Sequence, residues 1–423
     1  MKLSALKSVA ASQTLLINEQ SRLMEQGGRD VFKFGFGQSP FSPPGSVQQA
    51  FSDAVAEHGY APVQGDETLR NHVAAFHGRH QGLQIDPDDI LIAPGSKALL
   101  FNIMASFSDA TVLIPAPAWV SYGPQADILG HEVLAVPTQA NARWRVTPET
   151  LEATVRQRVG KGQNLLILNY PGNPDGLSYT ADELSALAQV ARDHNILIIA
   201  DEIYGLLDHQ GNHRSMAEFY PQGTIITTGL SKWCGAGGWR LGVAILPAGS
   251  LSLRTTLLGL ASETYSCAPT PVQWAARVAY DIENTQIDGF LTGQRAVLRS
   301  IGQWSASTLT AAGVHVVQPT GGFYLFTDFS PLLDKEQACG LQTAQEFCAA
   351  LLQDTGVVLL PGPAFGMSED HLCARLAYVE FDGDAALGYA AQADDDIPTE
   401  NLPQIAPRQV EGINRMAEWV SAL

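Results

Sequence analysis

Apolar residues fall in two rhythms along this chain of 423 residues. Short apolar runs alternate with longer stretches in which apolar side chains recur every three or four positions. The runs are Ile90–Ala93, Thr111–Ile114, Glu132–Val136, Leu165–Leu168, Ile196–Ala200, Ile225–Thr228 and Leu241–Leu246. Their length and β-branched content predict buried strands. Between Thr180 and His194, Leu184, Leu187, Ala188 and Ala191 share one face, the pattern of a crossover helix. Strands alternating with helices predict an α/β domain on a mostly parallel, seven-stranded sheet.

Outside this block the rhythm changes. Residues 1–30 read as an amphipathic helix stopped by Gly27-Gly28, before a short strand at Val31–Phe34 and a Gly/Pro-rich loop at 35–44. Val47–His58 reads as helical, and another helix begins near Thr68. A long helical pattern over Asp288–Ala312 leads to strands near His315–Val317, Phe323–Thr327, Val357–Leu360 and Leu372–Tyr378, then a final helix, Pro407–Leu423. The expected division is a large domain over 46–290 and a smaller α+β domain from 1–45 with 291–423. The acidic stretch 393–398 reads as a surface loop.

Composition narrows the partners. Lys and Arg number 25 against 43 Asp and Glu, a net charge of −18 that disfavours nucleic acid and anionic membrane. The five cysteines are scattered without a C-x-x-C pair, which points to a reducing compartment and no metal site. No apolar run approaches the roughly 20 residues of a membrane span. Met1–Gln20 does not read as a signal peptide, so cytoplasm is the expected location.

Polar residues follow most of the strand runs of the large domain. Gly95-Ser96-Lys97 comes after the first run, Trp119 after the second and Asn173 after Leu165–Leu168. Asp201 and Tyr204 follow Ile196–Ala200, and Ser231-Lys232 follows Ile225–Thr228, with Arg240 ahead of the last run. Open α/β sheets bind ligands outside the carboxyl ends of their strands, so these groups are expected to line one crevice. Gly95-Ser96-Lys97 at a strand-to-helix junction suits a phosphate, to which Arg240 adds a charged pair. Trp119 can stack on a flat ring, Asp201 can pair with a ring nitrogen, and Tyr204 with Asn173 can bond a phenolate oxygen. Lysine forms a reversible imine with an aldehyde. Together these demands describe pyridoxal 5′-phosphate (PLP).

Specific stretches carry a family likeness: Tyr60-Ala61-Pro62-Val63-Gln64-Gly65, Asn173-Pro174-Asp175-Gly176, Ala200-Asp201-Glu202-Ile203-Tyr204, Ser231-Lys232 with Gly238-Trp239-Arg240, Gly321-Gly322-Phe323-Tyr324, and Arg375. In this order the chain resembles the class I/II aminotransferases, fold-type-I PLP enzymes. The resemblance implies that Lys232 carries the cofactor and then moves the substrate proton. Asp201 would pair with the ring nitrogen, and Asn173 and Tyr204 would bond the ring oxygen beneath Trp119. Gly95, Ser96, Lys97, Ser231 and Arg240 would surround the phosphate, with Tyr60 reaching in from the second subunit of a homodimer. Arg375, helped by Gly37, Trp119 and Asn173, would hold the substrate. Lys97 could instead read a distal carboxylate. Substrates would be an amino acid and a 2-oxo acid; elimination or amine oxidation on the same cofactor is the alternative. Phe36, Ser39, Tyr122, Tyr265 and Phe365 are expected on loops that shape specificity. One departure stands out: Gly229 occupies a place where many relatives carry a serine that bonds the phosphate.

Overall fold

In the computed structural model, residues 9, 11–332, 340–392 and 397–423 are described. Six of the seven expected runs lie within strands of one sheet, and the seventh, Leu241–Leu246, overruns its strand by one residue at each end: β1 (Ile90–Ala93), β2 (Ala110–Ala116), β3 (Glu132–Pro137), β4 (Gln163–Asn169), β5 (Ile196–Asp201), β6 (Thr224–Gly229) and β7 (Gly242–Ile245). The strand order is β1-β7-β6-β5-β4-β2-β3. Pairings from β3 through β6 are parallel, whereas β7 runs antiparallel to both β6 and β1. That single reversal brings the start of β7 to the edge where β1, β2, β4, β5 and β6 end. Arg240, just ahead of β7, thereby reaches the same edge as the residues that follow the other strands.

Both faces of the sheet are covered, which is why its strands read as continuous apolar runs. The helix Ala181–Asp193 begins in a reciprocal capping box between Thr180 and Glu183, and buries Leu184, Leu187, Ala188 and Ala191 against the sheet. Each leucine so buried contributes about 1.5–3 kcal/mol. On the site side, the helix Ser96–Ala105 starts directly from β1, with Gly95 at its N-terminus in a positive-φ conformation.

A second sheet has the order β8-β10-β9, all antiparallel, from β8 (Tyr324–Asp328), β9 (Leu360–Pro361) and β10 (Cys373–Ala377). The helix Thr285–Ala311 joins the two sheets and runs unbroken across the division expected at 290/291. At about 1.5 Å per residue it is long enough to pass from one sheet to the other.

Several boundaries differ from the pattern. His315 forms only an isolated bridge to Asp328, because Pro319 and the glycines after it turn the chain away. Val357 likewise pairs only with Phe32, and the strand expected there is reduced to Leu360–Pro361. The helix expected to reach His58 ends at Asp53; Val55 beyond it is exposed and has no surface to pack on. The first helix spans Gln13–Gln26. Positions 393–396 of the acidic stretch lie outside the described residues, while Ile397 is buried in the core.

Candidate active site

One cavity of about 550 Å³ opens along the shared edge of the large sheet. Gly37, Ser96, Lys97, Trp119, Asn173, Asp201, Tyr204, Ser231, Lys232, Arg240 and Arg375 all line it. Gly95 sits just behind: a Cβ there would fall 2.1 Å from an Arg240 guanidinium nitrogen, so only glycine lets the arginine lie across the helix N-terminus. Tyr60 is not in the lining and is 92% exposed.

Asp201 closes the floor. It ends β5, is buried, and accepts from the Tyr122 hydroxyl at 2.7 Å and from Thr227 at 3.1 Å. Burial pushes its carboxyl up to about 6, although both hydroxyls and Lys232 favour the charged form. Tyr122, expected on a loop that shapes specificity, starts the helix Tyr122–Leu129 and lines the same cavity. It is 1% exposed, and its hydroxyl serves the carboxylate.

Lys232 follows β6. Its Nζ donates to the carbonyl of Gly37 at 2.9 Å and stands 5.4 Å from the Tyr204 ring centre. Burial lowers its affinity for a proton, against the pull of Tyr324 and Asp201. Arg375, on β10, is 1% exposed. It donates to Asn173 Oδ1 at 3.0 Å and to the Gly35 carbonyl at 2.6 Å, and its Nε has no partner. No carboxylate among the described residues neutralises it. A buried cation held only by neutral groups is costly, and an anionic ligand would relieve that cost.

A backbone circuit joins these parts. Asn169, the last residue of β4, donates to the Asp201 carbonyl at 2.8 Å and accepts from the Asn173 N–H at 2.7 Å. Asn173 in turn holds Arg375, so the floor and the arginine share one scaffold. Asn169, Thr227 and the hydroxyl of Tyr324 were not singled out from the sequence. The signal available was position alone: Asn169 and Thr227 sit at strand ends, and Tyr324 ends the Gly321-Gly322-Phe323-Tyr324 stretch.

Lys97 extends over Trp119, its Nζ 4.8 Å from the ring centre, and forms no ion pair among the described residues. Partial burial, and then Arg240 nearby, lower its affinity for a proton. Phe365 stacks 5.0 Å from the Arg375 guanidinium and Phe36 lines the cavity, whereas Ser39 and Tyr265 lie outside the lining. Gly229 has a steric explanation: a Cβ would meet the Leu241 carbonyl at 2.4 Å, where β6 and β7 come together. A serine does not fit this backbone without a shift.

The profile described as "Aminotransferase class I and II" matches residues 29–379. The chain belongs to that family. It is 32% identical over 379 residues to an aspartate aminotransferase of Geobacillus stearothermophilus, covering 88% of this chain and 92% of the relative. An asparagine–oxo-acid transaminase of Streptococcus mutans is 29% identical over 381 residues, covering 87% and 92%. Among solved structures, the aspartate aminotransferase of Rhizobium meliloti superposes with a TM-score of 0.83 at 26% identity, covering 99% of this chain and 98% of that one. The Thermus thermophilus enzyme with maleate gives 0.82 at 25% identity, covering 98% and 100%. The fold is that of the fold-type-I aminotransferases, and the reaction is transfer of an amino group from an amino acid to a 2-oxo acid. Enzymes of this family depend on PLP. Among the described residues, no helix is long and apolar enough to cross a membrane.

Proposed function

We propose that this aminotransferase uses PLP bound through Lys232, takes an acidic amino acid as donor, and works as a homodimer. The observation that carries the reading is Arg375, a buried guanidinium without a carboxylate partner among the described residues, opening on the same cavity as Lys232 and Asp201. The cavity lies between the proposed large domain, 46–290, and the proposed small one, 1–45 with 291–423.

The donor set fits the cofactor. Backbone N–H groups at Ser96 and Lys97, the Ser231 side chain and Arg240 supply donors and positive charge for a phosphate, while the Gly95 N–H is turned to the Ala93 carbonyl at 2.7 Å. Among the described residues Arg240 has only the Gly237 carbonyl as a hydrogen-bond partner, at 2.9 Å, which leaves the rest of its guanidinium for that anion. Asp201 would meet the ring nitrogen, Trp119 one ring face, and Tyr204 with Asn173 the ring oxygen. When bound, the cofactor supplies an aldehyde and an electron-withdrawing ring that stabilises charge released at the substrate α-carbon.

The chain's own groups do the rest. Lys232 Nζ takes the proton from the α-carbon, and burial lowers this amine's own affinity for a proton. Arg375 holds the α-carboxylate, with Asn173 fixing the guanidinium plane and the Gly37 segment closing one side. Tyr60, 92% exposed here, would complete the phosphate site of the partner subunit, and the Thr270 hydroxyl anchors its loop by donating to the Gly59 carbonyl at 2.6 Å.

Reduction of the PLP-reconstituted protein with borohydride is expected to leave a pyridoxyl group on Lys232 in peptide mass spectra. A label on another lysine, or none, would overturn the reading. The acidic-substrate assignment rests on Lys97, a cation at the cavity without a counter-ion, and on relatives named aspartate aminotransferases. Replacing Lys97 with Ala is expected to raise KM for aspartate and glutamate by roughly tenfold, as loss of one charge-assisted bond would. KM for a neutral amino acid should change little. Equal changes for both substrate classes would remove Lys97 from the carboxylate site.

A further inference from the structure

Tyr324 brings the second sheet into the cofactor cavity. It begins β8, is 1% exposed, and its side chain lines the cavity opposite the ends of the large-sheet strands. Its hydroxyl lies 3.0 Å from the hydroxyl of Tyr204 and 3.4 Å from the Gly37 carbonyl. That carbonyl already accepts from Lys232 at 2.9 Å. The face of its ring lies 4.8 Å from the Arg375 guanidinium. Gly37 is glycine for the same reason, since a Cβ there would fall 2.0 Å from the Tyr324 hydroxyl.

Each phenol has one proton to give. Tyr204 can donate to a cofactor's ring oxygen only if it does not spend its proton on Tyr324. The shorter of the two Tyr324 contacts is the one to Tyr204, so the consistent arrangement is a chain in which Tyr324 donates to Tyr204 and Tyr204 donates onward. Hydrogen bonds in such a chain polarise one another, and each strengthens the next.

We infer that Tyr324 is a positioning residue of the reaction: its hydroxyl commits the proton of Tyr204 to the cofactor's ring oxygen. The inference rests on the PLP reading above. The ionisable groups facing the tyrosine pair are Asp201 from β5, Lys232 after β6, Arg375 from β10, Tyr122 behind Asp201, and Tyr378 beyond β10. None of them offers an acceptor within hydrogen-bond reach of the Tyr324 hydroxyl. Because this hydroxyl comes from the second sheet, separation of the two sheets would lengthen the Tyr204 contact.

The test is Tyr324→Phe, alone and combined with Tyr204→Phe, read from the pH titration of the visible absorbance of bound PLP. Loss of one neutral hydrogen bond to Tyr204 is expected to move the midpoint upward by roughly 0.5–1 pH unit. In the Tyr204→Phe background the same substitution should move it no further, because the hydroxyl acts through Tyr204. The variant retains the ring, so its packing and thermal midpoint should stay near those of the parent. An unmoved midpoint in the single variant, or an equal shift in both backgrounds, would overturn the inference. A parent protein with no visible band would instead refute the PLP reading itself.

Discussion

The Lys232→Ala protein is expected to lose transamination by roughly 10⁴-fold or more, since the substitution removes both the group proposed to bond the cofactor and the base proposed to move the α-proton. Its fold should be unharmed. Lys232 is held by a single bond to the Gly37 carbonyl, and burial already disfavours its charged form. Deleting it removes a desolvated amine and leaves no unpaired carboxylate beyond Asp201, which keeps its two hydroxyl donors. The cofactor-free variant should therefore melt at or above the parent's temperature. Single-turnover amino transfer to PLP and a melting curve check the two halves separately. Residual turnover within tenfold of the parent would take Lys232 out of the proton transfer.

Asp201→Asn should act in opposite directions on the two forms of the protein. In the cofactor-free chain, burial raises this carboxyl to about 6, above its unfolded value near 3.9. The folded state thus holds a proton that the unfolded state has lost, and stability falls as pH rises from about 4 through about 6. Above that window the ionised, buried carboxylate costs up to about 3 kcal/mol, which asparagine does not pay. At pH 7 the cofactor-free variant should be the more stable protein, and at pH 4 the two should melt alike. With PLP the sign reverses. The carboxylate that opposes folding is the proposed partner of a protonated ring nitrogen, so the variant should bind PLP roughly 10²-fold more weakly. Melting curves at two pH values and a PLP titration check this. A variant less stable than the parent without PLP at pH 7 would show that Tyr122 and Thr227 already satisfy the charge.

The same cost of burying a polar group at a strand end explains why some of the site was legible in the chain and some was not. Asp201, Lys232 and Asn173 each follow an apolar run, and a strand end in a parallel sheet has few uses for a buried polar group other than a ligand. Tyr122 also follows such a run, and its place in the cavity is legible, but its bond to the carboxylate is not. Nothing along the chain says that its hydroxyl turns inward to Asp201, which comes from a different strand. Gly229 read as a missing phosphate contact; the close approach of Leu241 makes it a packing requirement.

The positions of the strands along the chain and the residues at their ends follow from the sequence alone, because burial on both faces writes the central strands as apolar runs and the polar residue after each marks where the strand leaves the core. What belongs to the tertiary structure is the meeting of distant segments. The reversal of β7 brings Arg240 over Gly95, Asn173 is held by Arg375 from the second sheet, and Tyr324 reaches Tyr204 across the gap between the sheets. Such pairings depend on distances through space between residues far apart in the chain, and local periodicity carries no record of them.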